Sequence, residues 1–106
     1  MIIKMITFET TEPGRAHLEK KIQTNLKELA EAPNCSFAEA WYQERKEKIS
    51  FTLVSKWASK KDFQNWMKRP EHIERHRQAH LNKEQQAPKD YEIRRVGMEE
   101  YTLSDL

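Results

Sequence analysis

SFAEAWYQERKEKISFTLVSKWASKKDFQNWM, residues 36–67, decides the fold because its hydrophobic period changes part-way along. In SFAEAWYQE, Phe37 and Trp41 alternate with Ala38, Ala40 and Tyr42, the two-residue period of a strand with apolar side chains on both faces. ISFTLVSKW, residues 49–57, sets Ile49, Phe51, Leu53 and Trp57 on one side and Ser50, Thr52, Val54 and Lys56 on the other. It reads as a second strand, with RKEK as the hairpin loop between the two. Beyond Trp57 the period becomes helical. Ser59 and Asp62 have the spacing of a shortened capping box, and Phe63, Trp66 and Met67 share a face behind them.

Upstream, IIKMITFE, residues 2–9, is rich in Ile, Thr and Phe and bounded by TTEPG, which predicts a strand ending in a turn. Thr11 is placed to cap the next helix, with Pro13 tolerated in its first turn. Leu18, Ile22, Leu26 and Leu29 then mark a helix with one buried stripe, ending before Pro33 and Asn34. Downstream, Arg69 precedes Pro70: helical geometry is disfavoured at the first and suits the second as an opening residue, so a new helix starts there over 70–80. LNKEQQAPKD reads as a polar loop, and YEIRRVGMEEYTL, residues 91–103, as a last strand interrupted by Gly97. The order is βαββαβ with a split second helix, and its simplest packing is an α+β ferredoxin-like sandwich in one domain, residues 1–106.

Composition narrows the function. With 37% apolar and 34% charged residues in 106, the core is modest, and folding buries only roughly two-thirds of the unfolded chain's surface. A homodimer is the expected way to complete it. The net charge of +2 comes from 19 basic and 17 acidic residues mixed along the chain, so no basic stripe points to nucleic acid. Cys35 stands alone, which rules out an intrachain disulfide and suits a reducing cytosol. The first residues lack the pattern of a signal peptide, and no stretch approaches a membrane span, so a cytoplasmic protein is expected.

Three of four histidines, His72, His76 and His80, recur at four-residue intervals and form a stripe on one side of a helix advancing about 100° per residue. HIERH lacks the glutamate directly after the first histidine that the zinc-protease signature requires. An adjacent pair could still chelate a metal with nearby carboxylates. Equally, the stripe could be a solvated surface with Ile73 and Ala79 packed inward, and Trp41, Trp57 and Trp66 could be ordinary core aromatics.

VSKWASKKDFQNWMKRPEHIERHRQAH, residues 54–80, resembles the central segment of the antibiotic biosynthesis monooxygenase (ABM) superfamily, and within it the IsdG-type heme-degrading monooxygenases. The shared features are the strand ending in Trp57, the Ala58-Ser59 helix opening, Phe63, the Asn65-Trp66 pair, and His76 ten residues after Trp66. Gly14 after the first strand and the Tyr91 to Tyr101 strand add to the likeness. The resemblance implies a ferredoxin-like fold whose sheets pair into a dimeric α+β barrel.

For the heme-degrading branch it implies His76 as axial ligand of the heme iron and Trp66 pressing the porphyrin out of plane. Neutral imidazole suits iron, and a rigid indole can hold a distorted macrocycle. Dioxygen, an external electron donor and a reductase partner would complete the reaction and release iron. The branch's distal asparagine on the first strand falls by register at Thr7, which keeps a hydroxyl donor but loses the amide fork. The alternatives are an ABM monooxygenase that uses no cofactor and takes a quinol-like or polycyclic substrate at Trp66 and His76, or a nonenzymatic heme-binding or stress module.

Overall fold

The computed structural model describes the backbone of residues 1–85 and 90–106 and the side chains of residues 1–78 and 90–106. The elements run β1 (Ile2–Thr11), α1 (Arg15–Ala30), β2 (Cys35–Arg45), β3 (Lys48–Trp57), α2 (Lys60–Met67), α3 (Pro70–Gln85) and β4 (Arg94–Thr102). All strand pairings are antiparallel, in the order β2-β3-β1-β4. This is the expected α+β ferredoxin-like arrangement, with helices on one face of a four-stranded sheet.

The helix-covered face follows from alternation along β1. Ile2, Ile6 and Phe8 pack with Leu18, Ile22 and Leu29 of α1 and with Leu53 and Trp57 of β3. Ile3, Met5, Thr7 and Glu9 therefore point to the opposite face. The open face carries exposed aromatics from both edges of the sheet, Phe37 and Trp41 on β2 and Tyr101 on β4.

Several boundaries differ from the sequence-based expectation. The hairpin needs only two residues rather than RKEK: Lys46 and Glu47 both adopt positive φ, at 50° and 67°, the left-handed geometry that matches strand twist in a tight hairpin. Thr11 makes no capping hydrogen bond. A 3-10 turn, Glu12–Gly14, intervenes before α1. Gly14 is required there, since a Cβ would lie 2.2 Å from Thr10 Oγ1 and 2.7 Å from the Tyr91 ring. Ser59 does cap α2, its Oγ accepting from the Asp62 amide at 3.2 Å and donating to the Asp62 carboxylate at 2.7 Å. Helix α3 extends through Gln85, taking half of the expected loop, whose residues 86–89 lie outside the description. The last strand is shorter than expected, and its register on β1 shifts between Thr7 and Phe8, beside Gly97. Among the described residues no helix is long and apolar enough to cross a membrane.

Candidate functional site

A run of ring contacts leads from the core to the surface of α3. Trp57 is fully buried, and its indole N–H is satisfied by Ser55 Oγ at 2.9 Å. Phe63 meets it edge-on at 5.5 Å and Trp66 at 5.6 Å. The amphipathic face of α2 thus presses both rings onto the end of β3. From half-buried Trp66 the run continues to His72, whose ring lies 5.8 Å away at 32°, and then to His76, 4.5 Å from His72. The two imidazole Nε2 atoms are 3.1 Å apart, so one carries the proton and the other accepts it.

Helix α3 is held at this angle by ion pairs with one carboxylate of α1. Arg69 stacks over Trp66 at 4.0 Å, donates to the Trp66 carbonyl at 2.7 Å, and reaches Glu28 Oε2 at 2.9 Å. Arg75 pairs with the other oxygen of Glu28. Between them these contacts fix the geometry of the break before Pro70.

The electrostatics around Trp66 and α1 weaken two bases. Burial first, and then His76, Arg69 and Arg75, push His72 below its ordinary value, with Glu28 opposing. Lys21 of α1 is likewise lowered, by burial and then by Arg75, and its ammonium lies 5.1 Å over the Phe8 ring.

The sequence-predicted site residues are only partly brought together. Trp66 joins His72 directly and His76 through it, with His72 the inner and His76 the exposed member. The side chains of Ala79 and His80 lie outside the description. Ile73, expected to pack inward on a solvated helix, is 55% exposed, because it is the histidine side of α3 that turns toward Trp66. Thr7 is not part of the cluster: its Oγ1 lies 2.8 Å from Thr52 Oγ1 on the open face of the sheet. The helix-facing neighbours of Thr7 are Ile6 and Phe8. Sequence reasoning missed Glu28 and the stacking role of Arg69. The three-residue Trp66–Arg69 spacing was a signal for the second, whereas Glu28 reaches Arg69 only through the tertiary fold.

A cleft of about 530 Å³ opens elsewhere, between α1 and edge strand β2, lined among others by Leu26, Leu29, Cys35 and Phe37. Among the described residues, neither Trp66 nor His72 and His76 line it.

Residues 1–80 match the antibiotic biosynthesis monooxygenase (ABM) family. The chain belongs to that family. The match takes in β1 through most of α3, and hence Trp66, His72 and His76. Solved structures agree with this ABM protein in fold. One described as an antibiotic biosynthesis monooxygenase from Deinococcus radiodurans is 15% identical over 100% of this chain and 95% of its own, with a TM-score of 0.68. SnoaB, a cofactor-independent oxygenase from Streptomyces nogalater, is 13% identical over 99% and 95%, with a TM-score of 0.65. A MhuD variant with two manganese protoporphyrin IX molecules bound per active site is 16% identical over 97% and 94%, with a TM-score of 0.60. Such identities establish the shared fold alone. No curated protein sequence matches the chain.

Proposed function

We propose that this ABM protein is an oxygenase that uses no resident cofactor and takes an electron-rich aromatic substrate of quinol or polycyclic type. The observation that carries this reading is the His72–His76 pair, a half-buried imidazole against Trp66 whose Nε2 meets, at 3.1 Å, the Nε2 of an exposed one. The part of half-buried Trp66 that Arg69 does not cover, backed by Trp57 and Phe63, supplies apolar surface for fused rings. His72, held neutral by burial and nearby cations, accepts a substrate proton at Nδ1 and passes its Nε2 proton to His76. The same cations oppose charge remaining on His72, so the proton moves on toward solvent. The substrate anion then gives one electron to dioxygen and combines with the superoxide formed; the peroxide anion takes a proton back from solvent and loses water, which leaves a carbonyl. Substrate supplies all the electrons, one oxygen atom enters the product and the other leaves as water.

Two copies are proposed to associate through the open sheet face, where Phe37, Trp41 and Tyr101 are each about half exposed, as in the expected dimeric barrel.

Heme cleavage is supported less well. A distal donor would have to come from the helix-covered face of β1, where Ile6 and Phe8 offer none and the Lys4 ammonium, 4.8 Å over the Phe63 ring, is already paired with Glu100. Hemin binding is the second reading, and exposed His76, ten residues after Trp66, favours it. Oxygen uptake with 1,8-dihydroxyanthrone and chelator present separates the two. Uptake above background that falls in both Trp66→Ala and His72→Ala is expected. No uptake, together with a hemin Soret complex lost in His76→Ala, would replace this reading with the second.

A further inference from the structure

We infer that His72 and His76 form a bidentate binding site for a divalent late transition-metal ion, separate from any role of the pair in proton transfer. The inference starts from the bite of the pair. Imidazole nitrogens bind such ions at about 2.0–2.1 Å, and two of them at an angle of about 90–109° are about 2.9–3.4 Å apart. The two Nε2 atoms already stand 3.1 Å apart, one helical turn from each other, so both lone pairs can converge on one ion without a change of fold. The exposed side of His76 leaves room for water to complete the coordination shell.

The surroundings select the class of ion. Neutral nitrogen donors and no third histidine, cysteine or carboxylate ligand among the described residues exclude a hard, oxygen-seeking cation such as magnesium or calcium. Arg69 and Arg75 add positive charge, offset in part by Glu28, and weaken purely electrostatic binding further. Copper(II) and nickel(II), which bond strongly to imidazole and accept water in their remaining positions, fit best, with copper(II) the tighter. An ion held there occupies both Nε2 atoms and interrupts proton transfer from His72 to His76.

The test needs no substrate, so its failure would leave the oxygenase reading standing. Copper(II), nickel(II) and magnesium are titrated into the full chain at pH 7.5, following heat and tryptophan emission, because the His72 ring lies 5.8 Å from Trp66 and a paramagnetic ion there quenches it. One copper(II) per chain is expected, binding more tightly than nickel(II), with no response to magnesium. His72→Ala and His76→Ala should each weaken copper(II) by about a hundredfold through loss of the chelate, while His17→Ala and His80→Ala keep it. Circular dichroism checks that each variant is folded. A folded His72→Ala or His76→Ala chain that binds copper(II) as tightly as the parent would overturn the assignment, as would equal loss in His17→Ala or His80→Ala.

Discussion

The guanidinium of Arg69 lies 4.0 Å over the indole of Trp66 while one of its nitrogens holds Glu28 at 2.9 Å. One side chain thus joins the break between α2 and α3 to the middle of the domain and sets the ring on which the candidate site is built. Arg69 is largely buried and Glu28 half-buried, so this pair is shielded more than a surface ion pair. Glu28→Gln should lower stability by roughly 1–2 kcal/mol, because the amide keeps an acceptor oxygen for only one of Arg69 and Arg75. Chemical denaturation would measure the loss, and greater acrylamide quenching of tryptophan emission would report the loosened Trp66.

Stability should also depend on pH through His72. Its folded value is lowered by burial and by His76, Arg69 and Arg75, whereas in the unfolded chain it returns to about 6.5. Between the lowered value and about 6.5 the unfolded chain therefore holds a proton that the folded chain does not. Stability rises with pH through that window and falls as acid is added. Thermal melts from pH 5 to pH 7.5 should show the rise, and His72→Gln should flatten it.

Association is checked on the open sheet face. Sedimentation at micromolar concentration should give a species of twice the 12.7 kDa chain mass. The double variant Trp41→Glu, Tyr101→Glu should sediment as the single chain, since both side chains are about half exposed on the open face and a charge there leaves the helix-side core untouched. An unchanged dimer in that variant would place the contact elsewhere.

Thr7 bonds Thr52 on the open face at 2.8 Å. Thr7→Val should cost about 1 kcal/mol of stability through that hydrogen bond. It should leave dihydroxyanthrone oxidation and any hemin spectrum unaltered. A loss of oxidation larger than the loss of folded protein would return Thr7 to the site.

Elements with a strong local signal are legible in the order of residues alone. The leucine and isoleucine stripe of α1, the Ser59 cap and the stop at Pro70 each depend on neighbours within about one or two helical turns, and each is found. The hairpin turn is harder to read, because Lys46 and Glu47 reach positive φ without the glycine or asparagine that usually marks it. Thr11 misleads for a related reason: residue type alone does not separate a helix cap from the entry to a 3-10 turn.

By itself the sequence determined the order of strands and helices, the apolar face of α2 that carries Phe63 and Trp66, and the four-residue spacing of the histidines. These are short-range properties, set by residue type and by periods of two or 3.6 residues. Only the tertiary structure decided which face of β1 meets the helices. Side chains alternate, so a shift of one residue exchanges Ile6 for Thr7, and a strand with apolar residues on both faces does not announce which one is covered. It also decided that His72 lies nearer Trp66 than His76 does, because Glu28, far away in sequence, anchors Arg69 and Arg75 and so sets how α3 lies against the domain.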